Sequence, residues 1–234
     1  MNFAVTPEQD QLIAMTREFA RDVVAPAQER MARDDRFPYE AWRQWCDLGM
    51  AGILIPEDCG GSAQDAMTYY LCVEELATVS QVFAQIWQIH CTCSLMYVAL
   101  GTDEQKQRWL PRFARGEATP AFALTEAEAG SDAGGLRTRA VRQEDGGWLL
   151  NGRKIFISNA GTDISDGTIV MAATGDRPDG RKEITCFIVP RGTPGYELGQ
   201  SFHKMAWDGM DNRELVLDDV RLPDSARLGP VGRA

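Results

Sequence analysis

The chain contains 234 residues, and its hydrophobic fraction of 44% is enough for a packed core and argues against wholesale disorder. Acidic residues outnumber basic residues by 34 to 24, which gives a net charge of -10. This balance argues against nucleic acid or an anionic membrane as the main partner, because both require a basic surface.

The first half of the chain has helical patterning. Thr6 and Gln9 have the spacing of a capping box, with a proline between them at the start of the first helix. Pro26 is expected to kink that helix. Further helices are predicted over YEAWRQWCDLG, over GTDEQKQRWLPRFARGE and, as a pair, over the apolar segment 66–100. The pattern predicts an all-helical domain over residues 1–117.

From about residue 119 the pattern changes to short strands separated by turns. AVRQEDGGWLLNGRKIFIS predicts two strands around a turn, and GTIVMAAT, ITCFIVP, YELGQSF and RELVLDDVRLP predict more. Regular short strands with turn signals are typical of a barrel or sandwich. The predicted fold class is therefore α+β, with the helical domain followed by a small β-barrel or sandwich domain over residues 118–224. Residues 225–234 are expected to begin a linker.

The stretch FALTEAEAGSD, residues 122–132, has two interpretations. Thr125 and Glu128 have the spacing of a helix capping box, and Gly-Ser-Asp is ordinary turn chemistry. Alternatively the loop holds a ligand, since Gly130 allows close backbone approach and the N–H groups of a turn can bind an anion without basic residues. Taken alone, the stretch favours the capping box.

Cysteine and histidine usage gives no indication of a metal site. The six cysteines include no C-x-x-C pair, and Cys91 and Cys93 face different sides of a predicted helix. His90 lies in an apolar helix and is expected to be a core residue. Scattered cysteines of this kind are typical of buried, reduced thiols, which predicts a cytoplasmic protein. MNFAVTPEQDQ has no signal-peptide pattern, and no apolar run is long enough to span a membrane.

Five motifs together resemble the acyl-CoA dehydrogenase family, flavoproteins that oxidise acyl-CoA thioesters to 2-enoyl-CoA. The motifs are IPEDCGG, GTDEQKQRWLPRFARGE, FALTEAEAGSD, LNGRKIFISNAG and KMAWDGMDNRELVLDDVRLP. They occur in the family's order and at compatible separations over nearly the whole chain. The resemblance implies an FAD cofactor, an acyl-CoA substrate and, as redox partner, electron-transfer flavoprotein or a similar acceptor.

The resemblance assigns the first loop to the flavin. Phe122, Leu124 and Thr125 match residues along the isoalloxazine, where the Thr125 hydroxyl and its neighbouring backbone bond the ring edge. Gly130 and Ser131 match the turn at the flavin pyrophosphate. Ser131 is also expected to touch the thioester arm of the substrate.

The resemblance also assigns a second loop, which carries Phe156, Ile157 and Ser158, to the cofactor. Phe156 matches an aromatic residue, often Trp, that packs against the flavin ring. Ser158 matches a hydroxyl residue, often Thr, that bonds flavin N5, and Ile157 between them is counted with the cofactor-binding residues. Without the resemblance, KIFIS is more simply a strand with Ile155 and Ile157 on one face and Phe156 on the other.

The resemblance places the catalytic base outside residues 1–234. Acyl-CoA dehydrogenation removes a proton from Cα while a hydride leaves Cβ, so a positioned carboxylate must take the proton. In the family this glutamate lies in a third, C-terminal helical domain, after the point that matches residue 234. No catalytic residue is therefore expected in this chain, which alone should be inactive. A homo- or hetero-oligomer is expected if the third domain is supplied.

Several explanations for such a chain stay open. It is a truncated form, one half of a split enzyme whose partner supplies the third domain, or a non-catalytic binding or interaction module. Flavin oxidases and monooxygenases share the fold and are a further alternative.

Overall fold

The computed structural model describes residues 4–233, so residues 1–3, the beginning of the stretch in which no signal peptide is predicted, lie outside the described part. The α-helices precede all of the strands along the chain. They are α1 (Pro7–Phe19), α2 (Ala25–Asp34), α3 (Tyr39–Asp47), α4 (Ala66–Val79), α5 (Gln81–Leu100) and α6 (Asp103–Ala114). Two helices cover the segment 66–100, as its pattern predicts, and the Ser80 hydroxyl caps the second by accepting from the N–H of Phe83.

The predicted helix starts are present. The Thr6 hydroxyl accepts from the N–H of Gln9, whose side chain accepts from the Thr6 N–H, and Thr102 begins α6 with the same capping box. Between α1 and α2 the residues Ala20–Val24 form a wider, π-helical turn. This turn ends two residues before Pro26, which has no N–H to donate, so the disturbance predicted at this proline is a widened turn and not a break.

The helices of the first domain pack around an aromatic core. Trp42, Trp45 and Trp87 are buried, and the rings of Trp45 and Trp87 meet edge to face with centroids 5.1 Å apart. His90 is fully buried and packs its ring against Trp42. The prediction that His90 is a core residue is therefore confirmed, and burial lowers its pKa to about 4.

The strands form one sheet. They are β1 (Phe122–Ala123), β2 (Arg139–Arg142), β3 (Trp148–Ser158), β4 (Thr168–Asp176), β5 (Lys182–Val189), β6 (Tyr196–Ser201), β7 (Asn212–Leu222) and β8 (Arg227–Leu228). Their order in the sheet is β6-β7-β3-β2-β4-β5-β8, with β1 beside β4. Trp148 of β3 and Phe187 of β5 are separated by two strands in that order, yet their ring centroids lie 5.3 Å apart. The sheet therefore curls around an apolar core, as strands of a barrel or sandwich do.

The two domains pack directly against each other. Trp109 of α6 shares an apolar cluster with Ile188 of β5. The Asn159 side chain donates to the carbonyl of Ile86 in α5 across 3.1 Å, which fixes the end of β3 to the helical domain. The predicted α+β fold class, a helical domain followed by a β domain, is confirmed.

Candidate functional site

The loop after β1 is a tight turn and not the start of a helix. Glu126 and Ala129 exchange backbone hydrogen bonds of 3.0 and 3.2 Å. Between β1 and β2, where every residue is described, the single helical element is the 3-10 turn Ala133–Gly135. The capping box suggested by Thr125 and Glu128 is therefore wrong, because no helix begins at Thr125.

The predicted cofactor residues on this loop differ in exposure. Phe122 and Leu124 are half-buried and pack on the apolar cluster that the two domains share. Thr125 is also partly exposed, and Gly130 and Ser131 are exposed. A Cβ added at Gly130 would meet no atom within 4 Å, so the space beside its backbone is open to a ligand.

Strand β3 carries a bulge where the second group of predicted residues lies. Lys154 pairs with Leu215 of β7, but the next pair is Ile157 with Arg213, so β3 has one residue more than its partner over this interval. Phe156, inside the bulge, has a φ of 60°, which is strained for a bulky residue. The bulge breaks the alternation of a plain strand: Lys154 is buried, whereas Phe156 is 57% exposed.

The residues at and just after the bulge differ in the groups that they offer to a ligand. The Phe156 ring lies 4.8 Å from the ring of Phe202. Ile157 is 2% exposed and lies in the core of the β domain, so it offers no exposed side chain to a ligand. The Ser158 hydroxyl accepts a hydrogen bond from the Asn212 side chain across 3.1 Å. Because its oxygen accepts there, its hydrogen stays available for an acceptor on a ligand.

Hydrogen bonds join the first loop to the bulge. The N–H of Ile155 donates to the carbonyl of Thr125 across 2.9 Å, and the Lys154 Nζ donates to the carbonyl of Leu124 across 3.0 Å. The structure therefore brings Thr125 beside the Phe-Ile-Ser segment of the bulge. We use the name junction for residues 124–126, 137–138 and 154–158. The Gly-Ser turn further along the first loop takes no part in these bonds.

A buried ion pair lies beneath this junction. The Lys154 Nζ is 2.7 Å from Glu126 Oε1, and the two side chains are 0% and 4% exposed. Glu126 also accepts from the backbone N–H groups of Arg137 at 2.5 Å and Thr138 at 2.9 Å. Burial alone would raise the pKa of Glu126, but the hydrogen bonds outweigh it and hold this pKa below its ordinary value. Burial lowers the pKa of Lys154, and the pairing with Glu126 opposes that shift.

Lys154, Glu126 and Asn212 have no role assigned from the sequence. A signal existed for Lys154, which adjoins the apolar run IFI at a position that the strand buries. No comparable signal marks Asn212, because its contact with Ser158 depends on the register of β3 and β7.

A basic cavity of about 520 Å³ lies beside the first loop. Its lining includes Asp132, which follows Ser131 in the chain, and the cationic side chains of Arg177, Arg181 and Lys182. Arg177 and Lys182 also donate to the carbonyls of Gly232 and Leu136, and Arg181 lies 3.7 Å from Asp179. The three cations still outnumber the one carboxylate of the lining, so the charge of the cavity suits an anionic ligand.

The described residues give no indication of a membrane segment or a metal centre. None of the helices in residues 4–233 has the length and apolarity that crossing a bilayer requires. Nowhere in the same residues do three or more His, Cys, Asp or Glu side chains gather to hold a metal ion. All six cysteines are buried and unpaired, and burial raises the pKa of Cys46 to about 12, so this thiol stays protonated at neutral pH.

Comparison with known proteins gives matches over both domains. The family description "Acyl-CoA dehydrogenase, N-terminal domain" matches residues 6–117, and "Acyl-CoA dehydrogenase, middle domain" matches residues 121–220. The chain is 39% identical over 232 residues to an acyl-CoA dehydrogenase of Bacillus subtilis (strain 168), a match that covers 97% of this chain and 59% of that protein.

Solved structures match the whole fold. Butyryl-CoA dehydrogenase from Megasphaera elsdenii gives a TM-score of 0.92 at 34% identity, covering 100% of this chain and 61% of that one. A glutaryl-CoA dehydrogenase from Mycobacterium smegmatis in complex with FADH2 gives 0.88 at 32% identity, covering 96% and 56%. The chain thus spans less than two thirds of the length of the relatives it matches. The matches over both domains show that the chain belongs to the acyl-CoA dehydrogenase family.

Proposed function

We propose that the chain forms the helical and β domains of an FAD-dependent acyl-CoA dehydrogenase, which oxidises an acyl-CoA thioester to the 2-enoyl-CoA. One observation carries the proposal: the hydrogen bond of 2.9 Å from the Ile155 N–H to the Thr125 carbonyl makes one continuous surface of the two loops that the motifs assign to the flavin. Membership of the family supports the same activity, and one of the relatives of known structure is in complex with FADH2.

The groups on this surface fit an FAD. When bound, FAD supplies the acceptor for the hydride that leaves the substrate. Thr125 offers a hydroxyl for the flavin edge, and Ser158 has a hydroxyl hydrogen free to donate to N5. Phe156, which the bulge holds out of the core, offers a ring for packing against the flavin. At Gly130 the open space beside the backbone allows a pyrophosphate to approach its N–H groups.

The basic cavity supports a CoA thioester as the substrate. CoA carries phosphate groups, and Arg177, Arg181 and Lys182 supply complementary charge. Ser131, the residue proposed to touch the thioester arm, directly precedes Asp132 in the lining of this cavity. The phosphates and the thioester would therefore be recognised by neighbouring parts of one surface.

The catalytic base is proposed to come from outside residues 1–234. Of the three acids of the first loop, Glu126 is paired with Lys154, Glu128 lies 3.3 Å from Arg137, and Asp132 lies in the lining of the basic cavity. The proposed base is a glutamate of a C-terminal helical domain, on the same chain or on a partner. Electron-transfer flavoprotein, or a similar acceptor, is the proposed redox partner.

Binding of FAD to the purified chain tests the proposal. We expect the chain to bind FAD weakly, with quenching or a spectral shift of the flavin. Thr125→Val should weaken binding by about fivefold, the effect of one lost hydrogen bond of about 1 kcal/mol. Thr78→Val, at an exposed threonine of α4, is the matched control and should change nothing. Failure of the wild-type chain to bind FAD at any concentration would contradict the proposal.

A further inference from the structure

We infer that Lys154 is a positioning residue, whose ammonium group holds the loop around Thr125 against the β3 bulge and so presets the surface on which FAD is proposed to bind. The inference rests on the proposed function for its consequence on FAD. The claim that Lys154 holds the loop in place concerns the chain without FAD and does not depend on that function.

The ammonium group of Lys154 contacts the loop on both sides of Thr125. It donates to the carbonyl of Leu124, the residue before Thr125, across 3.0 Å. It also lies 2.7 Å from the carboxylate of Glu126, the residue after Thr125. With these two contacts made from one buried atom, the backbone at Thr125 has little freedom to move relative to β3.

Further contacts of Glu126, and contacts beside Lys154, connect the loop to other elements. Lys154 lies directly before Ile155, whose N–H donates to the Thr125 carbonyl, and two residues before the strained Phe156. At the other end, the carboxylate of Glu126 accepts from the N–H of Thr138, just ahead of β2. The ion pair of Lys154 and Glu126 therefore connects the loop to the bulge and to Thr138, the residue before β2.

Stability alone does not account for burying this pair. Taking an ammonium and a carboxylate out of water is costly, and an apolar pair of similar volume is often as stable or more so. What charged groups add is directional hydrogen bonding to chosen atoms. All the contacts named for Lys154 and Glu126 go to atoms of the junction, which fits a positioning role.

The neighbouring residue supplies a matched control. Arg153, also on β3, pairs with Glu214 of β7 across 2.9 Å, but its side chain is exposed. Exposed ion pairs contribute little to stability. Arg153→Met therefore removes a cation one residue away without touching the junction.

Hydrogen exchange of the chain without FAD tests the structural part. In Lys154→Met, the amides of Ile155, Arg137 and Thr138 should exchange at least about tenfold faster than in the wild type, while amides shared between β4 and β5 keep their rates. Arg153→Met should leave all of these rates unchanged. If Lys154→Met does not fold, Glu126→Gln, which keeps the shape of the side chain, should give the same local acceleration. Unchanged rates, or an equal change in Arg153→Met, would overturn the inference.

The affinity for FAD tests the consequence. Where the wild type binds FAD, the variant with the faster junction amides should bind it at least about fivefold more weakly, and Arg153→Met should bind it normally. Faster exchange with unchanged affinity would overturn the positioning role. A wild-type chain that binds no FAD would refute the proposed function instead, and the exchange experiment would still decide whether Lys154 holds the junction.

Discussion

Asn212 of β7 donates its side-chain amide hydrogen to the Ser158 hydroxyl of β3 across 3.1 Å. The two residues are direct partners in the register of these antiparallel strands. Since the hydroxyl oxygen accepts on this side, its own hydrogen is directed elsewhere. Asn212 therefore sets the direction in which Ser158 can donate.

Removing the Ser158 hydroxyl should change the bound flavin. We expect Ser158→Ala to shift the absorption spectrum and the reduction potential of FAD bound to the chain, because the proposed donor to N5 is lost. Asn212→Ala should cause a smaller shift in the same direction, since the hydroxyl stays but is no longer oriented. Ser225→Ala, at an exposed serine after β7, is the control. Spectra and potentials equal to the wild type in both variants would rule out this role for Ser158.

Removing the exposed ring of the bulge should weaken binding. Phe156→Ala is expected to lower the affinity for FAD by up to about tenfold, because an aromatic contact is worth about 1 kcal/mol beyond its buried area. Fluorescence titration with FAD measures the effect. Val141→Ala is a matched control, since Val141 and Phe156 are both 57% exposed. An equal effect of the two substitutions would show that Phe156 does not contact the flavin.

Local signals were enough to predict the helices and the longer strands, but not the two-residue strands β1 and β8, the second of which lies where a linker was expected. The capping boxes at Thr6 and Thr102 are present, and the turn at Gly146, which has a φ of 84°, joins β2 to β3 as predicted. Each of these signals involves residues close together in the chain, so a few consecutive residues are enough to predict the helix start or the turn.

The junction could not be predicted in this way. The contact of Lys154 with Glu126 joins residues 28 apart, and the contact of Asn212 with Ser158 joins residues 54 apart. Such contacts depend on strand register and on the bulge at Phe156, and neither follows from the period of the apolar residues. The motifs identified the loops, but not what holds them together.

The buried His90 should make the chain less stable in mild acid. Its pKa in the folded chain is about 4, against 6.5 for the free side chain, because burial disfavours the charged form. The unfolded chain therefore binds more protons, and stability is lost as the pH falls from about 6.5 to about 4, by about 3 kcal/mol in all. Urea unfolding at several pH values measures this loss. The loss should be smaller in His90→Gln, and equal slopes in this variant and the wild type would contradict the assignment.

Exposed apolar side chains should make the isolated chain self-associate. Met67 and Tyr70 lie three residues apart on α4, Met205 and Trp207 lie close together between β6 and β7, and all four are large and exposed. We expect a mass that rises with concentration in light scattering, and binding of a hydrophobic dye. A monomer at high concentration that binds no dye would contradict this expectation.

Anaerobic mixing with acyl-CoA tests the central claim, that these two domains carry the flavin surface while the base comes from elsewhere. FAD-loaded chain is mixed with a panel of acyl-CoAs while the flavin absorbance is followed. The chain alone should not bleach, because the proposed base lies outside residues 1–234 and a general base typically contributes about 10²–10⁴-fold. Bleaching should appear after addition of a separate protein that carries the C-terminal domain of a relative. Bleaching by the chain alone would mean that a base lies within residues 1–234, and would contradict the account.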